Sequence, residues 1–432
     1  MSNLNDIFDR LFASKIPKQN IVEAQEISIF EKIAKSHDIE QIRPPKQEIR
    51  DLFGKSNEVF SNTIGTHPDF KDVSMLPINQ YICSLFLDIS GSTKLGLKFP
   101  LSEVRLYKNV IVSTAIELFQ AFDGHIHRLQ GDAVFAYFGH QSLNKSDAII
   151  NALNAASMMQ SYNKHTLSKF FEENDLSPLK IKIGIDIGDD SEVMWSEYGI
   201  DNITEVTSTS IHTDLAAKLQ SKSPRNKIMI GENIYKYLDL SDEFFEVKTV
   251  IKDGESVEER YVLEESKSHA YYQMRVFDWE KYLNSFSFLP KTKDFNNYIS
   301  PTDFEVVCYV KKNDSDQYTR YFQSSSSLDK GMKVMFELFN YANMPIGNIK
   351  WRVVNYGDEA EQSEKDLEYY MKDFEGEYFC EQSTAYTGLH FMECYIYNPE
   401  SKLIAKDRSG IYINDEIRDF RKLSITENWV KK

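Results

Sequence analysis

The chain has 432 residues and a formal net charge of -16 at pH 7. Its length exceeds what one compact domain usually holds, so two folded units are expected, and a 41% hydrophobic share with 13% aromatic residues suffices for sizeable cores. The acidic excess argues against nucleic acid as a partner, because binding to a phosphate backbone requires a basic surface.

The N-terminus and the cysteines both favour a cytoplasmic protein. The first residues lack the basic start and the apolar run of a signal peptide, and no apolar stretch approaches the length of a membrane span. The four cysteines are scattered without a CxxC pair, which favours reduced thiols over a zinc site or a disulfide framework. Residues 1–75 are polar and are interpreted as a helical N-terminal extension.

The first folded unit begins with a buried strand. Residues 81–89 form an apolar, aromatic-rich run that predicts this strand. Apolar residues then recur at helical spacing from Leu101 to Phe122, which predicts a long amphipathic helix. Two strand-like runs follow on either side of Gly131-Asp132 and predict a β-hairpin.

The remainder of this unit alternates helices and strands. A helix is predicted from Ala148 to Met159, and near-perfect alternation of polar and apolar residues predicts a half-buried strand over Leu179–Ile187. A short helix over Ile211–Gln220 and a strand at 227–230 follow. This order is typical of a ferredoxin-like α+β domain with a mainly antiparallel sheet, which we assign to residues 76–285.

A second, smaller α/β unit is predicted over residues 302–432, after a linker at 286–301. The linker is polar and contains Pro290. The expected strands of the second unit are Phe304–Val310, Ile349–Tyr356 and Leu389–Asn398, and its expected helices are Leu328–Tyr341 and Gly357–Phe374.

Two acidic turns carry the strongest chemical signal. Asp88 closes the first strand and precedes the small-residue turn at 90–93 (Ser90, Gly91, Ser92, Thr93), whose backbone N–H groups suit a polyphosphate. Asp132 lies at the hairpin tip, beside that strand in a ferredoxin-like sheet. Taken alone, each of these sequences is also typical of a turn that has no role in binding or catalysis. Two adjacent carboxylates repel each other, however, unless hard divalent cations bridge them to phosphate oxygens.

These segments resemble the metal motifs of class III adenylate and guanylate cyclases. FLDISGSTKL is similar to the first motif, HRLQGDAVFAYF to the second and IHTDLAAKL to a helix of the family. The 44-residue separation of Asp88 and Asp132 matches the usual spacing. The resemblance covers about residues 78–235 and implies a nucleotide cyclase with two divalent metal ions, Mn²⁺ or Mg²⁺.

The resemblance also implies a homodimer with composite sites. One protomer would supply Asp88, the Ile89 carbonyl and Asp132 to the metals, and the other would supply the base-reading and transition-state residues. Asp214 falls where the family has its ribose-orienting Asn, and Lys218 where it has the Arg that stabilises the transferring phosphoryl group. Both are departures, and an i,i+4 surface ion pair is the alternative interpretation.

Arg128 and Thr207 occupy the base-reading positions of the family. Adenylate cyclases carry Lys and guanylate cyclases Glu where this chain has Arg128. Arginine offers only donors, which suit the carbonyl oxygens of a pyrimidine, and the Thr207 hydroxyl complements either pyrimidine. Uracil presents two carbonyls and cytosine one, so UTP is ranked ahead of CTP.

This combination resembles the bacterial antiphage pyrimidine cyclases (Pycsar). Those enzymes make cyclic UMP or cyclic CMP for a separate effector protein, and their second unit resembles a nucleotide-sensor domain. Two parts of the chain carry this resemblance: the lead-in segment at 65–68, which precedes the first strand, and the second unit. Lys248 and Lys252 are candidates for binding the terminal phosphates.

Three alternatives remain open. His125 and His127 could hold a metal, although a surface pair on a hairpin is the commoner arrangement. A diguanylate cyclase is the rival enzyme, but residues 130–134 do not meet its Gly-Gly-Asp/Glu-Glu-Phe signature. A catalytically inactive homologue acting as a nucleotide-binding or dimerisation module is the rival of another class, and the departures at Asp214 and Lys218 favour it.

Overall fold

The structure, a computed structural model, describes residues 43–174, 176–264, 270–289, 303–311, 317–323, 325–363 and 366–415. The chain divides into two compact units. The first comprises residues 1–50, 56–143 and 151–231, and the second 51–55, 144–150 and 232–432. These compact units divide after Gly231, whereas the sequence predicts the end of the first domain at residue 285. The division into compact units does not test that limit, which stays a prediction. Residues 1–42 and most of the predicted linker lie outside the described residues.

Up to Gly231 the chain forms helices and strands in alternation. The helices are α1 (Lys46–Leu52), α2 (Leu101–Ala121), α3 (Lys145–Tyr162), α4 (Ser168–Glu173) and α5 (Ile211–Lys222). The strands are β1 (Ile78–Asn79), β2 (Ile82–Ile89), β3 (His125–Gln130), β4 (Ala133–Phe138), β5 (Ile181–Gly188), β6 (Met194–Ile200), β7 (Ile203–Thr209) and β8 (Lys227–Gly231). Short 3-10 helices lie at Pro68–Phe70, Val73–Met75 and Ser92–Leu97, and a π-helical segment at Asn163–Leu167.

The main sheet of the first unit places β2 at its centre, in the order β8-β5-β2-β4-β3. β2 is antiparallel to both β4 and β5, and β3 is antiparallel to β4. β5 and β8 are parallel. The predicted strands, hairpin and helices of this region and the mainly antiparallel sheet are therefore confirmed.

Helix α5 lies directly on strand β5. A Cβ atom at Gly184 of β5 would lie 2.1 Å from the backbone nitrogen of Gln220 and 2.4 Å from the carbonyl oxygen of Ala216. Because real Cβ contacts are never this short, only glycine permits the helix to approach so closely. This contact fixes the height of α5, and with it the height of Asp214 and Lys218, above the sheet.

A three-stranded sheet of order β1-β6-β7 was not predicted. Trp195 of β6 is fully buried at its core and stacks on Phe70 at a centroid distance of 4.1 Å. Its indole Nε1 donates a hydrogen bond of 3.1 Å to the Gln80 carbonyl. Truncation of a buried Trp typically costs about 3–5 kcal/mol. This packing holds β7, which carries Thr207.

After Gly231 the described chain is richer in strands. The helices are α6 (Glu232–Leu238), α7 (Trp279–Asn284) and α8 (Asp358–Glu361), with 3-10 helices at Asp242–Phe244 and Lys372–Phe374. The strands are β9 (Phe245–Val247), β10 (Thr249–Lys252), β11 (Glu255–Glu258), β12 (Arg260–Glu264), β13 (Ala270–Phe277), β14 (Phe304–Lys311), β15 (Tyr318–Tyr321), β16 (Leu328–Asp329), β17 (Lys333–Asn340), β18 (Asn348–Val354), β19 (Glu368–Tyr370), β20 (Phe379–Ser383), β21 (Gly388–Tyr397) and β22 (Leu403–Asn414).

Two sheets of the second unit share one apolar core. Their orders are β15-β14-β17-β20 and β16-β22-β21-β18-β19. The core includes the fully buried Trp351, whose indole nitrogen donates a hydrogen bond of 2.9 Å to the Glu377 carbonyl. The three strands predicted for this unit are therefore confirmed as β14, β18 and β21.

The two helices predicted for this unit are wrong. Leu328–Tyr341 contains β16 and β17, and the buried residues of β17 (Val334, Phe336, Leu338) alternate with period two. The described part of Gly357–Phe374 contains the short α8 and then β19, which pairs with β18. Charged residues with good helix propensity dominate this segment, and tertiary strand pairing overrides that weak local preference.

No helix among the described residues is both long enough and apolar enough to cross a lipid bilayer.

Candidate active site

Asp88 and Asp132 meet at one edge of the main sheet. Leu87 of β2 pairs with Val134 of β4, so the hairpin tip that carries Asp132 lies beside the end of β2. The half-buried Asp88 has a raised pKa, first because burial penalises its charged form and second because the Asp132 carboxylate is near. The structure therefore brings together the two acids that the sequence singled out.

Asp132 is a buried carboxylate that is only partly satisfied. It is 8% exposed, and its Oδ1 accepts a hydrogen bond from Lys108 Nζ at 2.9 Å. Its Oδ2 is buried and has no hydrogen-bond partner within the described part of the chain. An unsatisfied carboxylate oxygen beside a second carboxylate matches the hard oxygen donors that Mg²⁺ and Mn²⁺ prefer. The residues at this edge therefore fit a divalent metal ion.

Lys108 was missed by the sequence analysis. It lies on α2, whose helical spacing was predicted, but only the packing of α2 beside the hairpin brings its ammonium group to Asp132. Within the described residues no group of three or more His, Cys, Asp or Glu side chains forms a metal cluster. Two carboxylates would hold a metal only if other oxygens, such as a backbone carbonyl or substrate phosphates, completed the coordination.

The turn after β2 is a tight turn with a left-handed glycine. Gly91 adopts a left-handed φ of 75°, which favours glycine, and it precedes the 3-10 helix Ser92–Leu97. The Ser90 backbone nitrogen donates to the Lys180 carbonyl at 2.7 Å, which anchors the start of the turn. Thr93 and Gly91 are exposed. The turn is therefore exposed beside Asp88, and its role in binding phosphate stays a prediction.

Two further cations lie beside this turn. Arg225 Nε donates to Ser90 Oγ at 3.2 Å, and Lys182 of β5 pairs in register with Asp88. Burial first, and the nearby Arg225 second, lower the pKa of Lys182 while Asp88 raises it, so these groups form one charged cluster. Because β5 and β8 are parallel, the residues that precede them meet at the edge where β2 ends.

Lys248 and Lys252 lie in the second compact unit. Lys248 Nζ is 3.4 Å from Glu259 Oε2, and Lys252 is exposed on β10. Their assignment to the terminal phosphates stays a prediction, whereas Arg225 has a direct hydrogen bond to Ser90 of the turn.

Arg128 lies against an acidic side chain that the sequence analysis missed. Arg128 Nε donates to Glu205 Oε1 at 3.2 Å, and its Nη2 donates to Glu205 Oε2. These bonds lower the pKa of the Glu205 carboxyl. The two residues are 77 positions apart, so only the approach of β7 to β3 brings them together.

Thr207 belongs to a chain of hydroxyl groups next to this pair. The buried Tyr137 hydroxyl lies 3.4 Å from Thr207 Oγ1 and 2.9 Å from Ser208 Oγ. Ser208 Oγ is 3.1 Å from Thr213 Oγ1, which in turn is 3.0 Å from Ser84 Oγ. The chain links β4, β7, the start of α5 and β2, and it fixes the predicted base-reading strand relative to the acidic edge.

Asp214 and Lys218 are exposed on α5. No ion pair joins them among the contacts of the described residues, so the surface-pair interpretation is wrong. Asp214 lies in the first turn of α5, where its charge interacts favourably with the helix dipole. Both side chains are therefore available to a ligand.

The start of α5 is anchored by a buried histidine. His212 Nδ1 lies 3.0 Å from Asp186 Oδ2, and its Nε2 lies 3.1 Å from Glu192 Oε2. Burial alone would lower its pKa, but the two carboxylates raise the pKa of His212 to about 9. The imidazolium is thus held between two acids at neutral pH.

This arrangement predicts a loss of stability in mild alkali. A folded-state pKa of about 9 exceeds the ordinary value of 6.5, so the stabilisation is complete below pH 6.5 and disappears as pH rises through 9. The free energy of unfolding, measured by urea titration from pH 6 to 10, should fall by roughly 3 kcal/mol from this group. His212→Gln should flatten that part of the profile. An unchanged slope in the variant would contradict the assignment.

His125 and His127 are structural. Both are buried, and both donate toward the Gly65 carbonyl, from Nε2 of His125 at 2.7 Å and from Nδ1 of His127 at 3.0 Å. Burial lowers the pKa of each ring. The expected surface pair is therefore wrong, because the Gly65 segment and the rings of His67 and Tyr137 cover the two histidines. The two rings hold the lead-in segment against the strand that carries Arg128.

Comparisons with known proteins identify similar chains. Residues 277–414 match the family described as "Adenylyl/Guanylyl and SMODS C-terminal sensor domain". A cytidylate cyclase of Staphylococcus aureus is 54% identical over 430 residues, which are 99% of this chain and 100% of that protein. A cytidylate cyclase of Escherichia coli is 32% identical over 397 residues, 84% of this chain and 81% of that protein.

The adenylyl cyclase CyaB from P. aeruginosa is a solved structure that resembles part of the chain. It is 19% identical with a TM-score of 0.37, and the match covers 47% of this chain and 96% of that one.

Proposed function

The chain belongs to the family of Pycsar-type nucleotide cyclases, which includes the bacterial cytidylate cyclases, and on this basis we propose that it converts CTP into 3′,5′-cyclic CMP and pyrophosphate. The observation that carries the substrate is the 54% identity with the Staphylococcus aureus cytidylate cyclase over 430 residues. The meeting of Asp88 and Asp132 at the sheet edge supports the reaction class.

The reaction joins the ribose 3′-oxygen to the α-phosphorus and releases pyrophosphate. Asp88, the Ile89 carbonyl and Asp132 would hold two divalent ions, which when bound neutralise the triphosphate and lower the pKa of the 3′-hydroxyl. The turn at 90–93 would bind phosphate oxygens through its backbone N–H groups, and Arg225 would add a cation beside it.

Residues of α5 would orient the ribose and stabilise charge. Lys218 would lie beside the α-phosphate, where an ammonium ion supports the growing negative charge but lacks the planar fork of arginine. Asp214 would accept a hydrogen bond from a ribose hydroxyl, since a carboxylate can accept but not donate. Both side chains are exposed, which is compatible with these roles, and the presence of both Asp88 and Asp132 argues against the inactive-homologue alternative.

A homodimer with composite sites completes the proposal. Large apolar side chains are strongly exposed in one protomer, with Ile200 at 69%, Ile203 at 80% and Leu97 at 87%. Ile200 and Ile203 flank the turn of the β6–β7 hairpin. A second copy of the chain would cover such residues, since soluble monomers rarely expose clustered apolar surface. Arg128 and Thr207 of one protomer would then read the base of a nucleotide held at the partner's acidic edge.

CTP replaces UTP as the first-ranked substrate. The donor-only chemistry of Arg128 favoured UTP when that residue was considered alone, but both relatives described above are cytidylate cyclases. We further propose that cyclic CMP is a second messenger in antiphage defence, read by a separate effector protein, as the family resemblance implies.

The test incubates the purified protein with each of the four nucleoside triphosphates and Mn²⁺ and identifies the products by chromatography and mass spectrometry. Cyclic CMP is expected as the main product, because the base-reading residues and the relatives both point to a pyrimidine. Cyclic UMP as the main product would restore UTP as the substrate. Cyclic AMP, cyclic GMP or no product would contradict the proposed function.

A further inference from the structure

We propose that Glu205 is the residue that distinguishes cytosine from uracil, by accepting a hydrogen bond from the 4-amino group of cytosine while Arg128 donates to N3 and O2. The inference rests on the proposed function and deepens it. The Arg128–Glu205 contact is the observation that carries it.

The pair is accessible to a ligand. The side chains of Arg128 and Glu205 are 47% and 43% exposed in one protomer, although they bind each other through two hydrogen bonds. Those bonds use Nε and Nη2 of Arg128, so Nη1 keeps both of its N–H donors. The carboxylate likewise keeps lone pairs, because its two oxygens offer about four acceptor sites.

A neighbouring histidine leaves the remaining acceptor capacity of Glu205 free. His127 Nε2 lies 3.6 Å from Glu205 Oε1, beyond hydrogen-bond distance. Its Nδ1 faces the Gly65 carbonyl and must carry the proton of the neutral ring, so Nε2 is itself an acceptor. His127 therefore packs beneath Glu205 without donating to it.

The pair presents an acceptor beside two donors. An ionised glutamate only accepts hydrogen bonds, and arginine only donates them. The Watson–Crick edge of cytosine reads donor, acceptor, acceptor (4-amino group, N3, O2), which Glu205 and two N–H groups of Arg128 complement at all three positions. Uracil reads acceptor, donor, acceptor, so its O4 would face the Glu205 carboxylate and its N3–H would face an N–H group of Arg128. Unpaired or opposed polar groups are the source of strong discrimination between related substrates.

The position of β7 also fits this role. Glu205 and Thr207 are two residues apart on one strand, so their side chains emerge on the same face. Thr207 is the position at which the family resemblance locates the second base contact. Glu205 thus lies two residues from Thr207, one of the proposed base-reading residues, and contacts Arg128, the other.

The test measures competition between CTP and UTP at equal concentration in one reaction, from the ratio of cyclic CMP to cyclic UMP. Glu205→Gln should lower this ratio about 10-fold, because the glutamine amide can donate to the uracil O4 that a carboxylate repels. Glu197→Gln is the matched control, since Glu197 is an exposed glutamate on the adjacent strand β6. It should leave the ratio unchanged.

Both products form in the same reaction, so a partial loss of folded protein lowers both equally and leaves the ratio of cyclic CMP to cyclic UMP unchanged. A ratio in Glu205→Gln within twofold of the wild type would overturn the inference and leave the proposed function standing. A second measurement is the dissociation constants of α,β-methylene CTP and α,β-methylene UTP, which cannot release pyrophosphate. If the wild type forms no cyclic CMP, the proposed function fails, and the change in the ratio of these constants decides the role of Glu205.

Discussion

Asp132→Asn should reduce the formation of cyclic CMP by about 10³-fold or more, while the protein stays folded and dimeric. The substitution keeps the size of the side chain but removes the charge that would bind a divalent ion in the proposed site. The hairpin tip tolerates asparagine, and the loss of the Lys108 ion pair affects one cation whose side chain is 27% exposed. Turnover is measured with Mn²⁺, and the assembly state by sedimentation.

Asp253→Asn is the matched control for this prediction. Asp253 also sits beside a glycine in a hairpin turn, but between β10 and β11, and it is exposed. This control should retain wild-type turnover. If Asp132→Asn retained more than a tenth of wild-type turnover, the carboxylate could not be a metal ligand of the proposed site.

Mixing two inactive variants should restore activity. Asp132→Asn removes the acidic half of each composite site, and Arg128→Ala removes the base-reading half. In a heterodimer of the two, one site receives both defects and the other receives none. With random exchange of equal amounts, half of the dimers are heterodimers with one intact site each, so about a quarter of wild-type turnover is expected.

The control mixes Asp132→Asn with Asp88→Asn, whose defects fall on the same half of the site. Every heterodimer then keeps a defect in both sites, so the mixture should stay inactive. Subunits are exchanged by brief incubation at low protein concentration before the assay. If the first mixture also stayed inactive although mass spectrometry detected heterodimers, each site would be contained within one protomer.

The strands and turns of the acidic edge were predictable because their signals are local. The apolar run of β2, the Gly131-Asp132 hairpin and the alternation of β5 each lie within a few consecutive residues. The second unit was harder. The residues of β17 fit a helical spacing as well as a strand, and only pairing with β14 and β20 decides between them.

The partners of the predicted site residues were not predictable. Lys108 is 24 positions from Asp132, and Arg225 is 135 positions from Ser90. No local pattern marks these contacts, because they arise where α2 packs beside the hairpin and where β8 runs parallel to β5. The His212 anchor depends in the same way on the contact of α5 with β5.

The sequence by itself determined the positions of Asp88 and Asp132, since an acid at the end of an apolar strand and an acid in a Gly-Asp turn are local signals with a fixed place in the sheet. The tertiary structure alone decided the chemical character of the proposed base-reading site. Arg128 considered alone is a donor, and that chemistry ranked UTP first. Because β7 approaches β3, the carboxylate of Glu205 lies against the guanidinium, and the pair offers an acceptor and donors together.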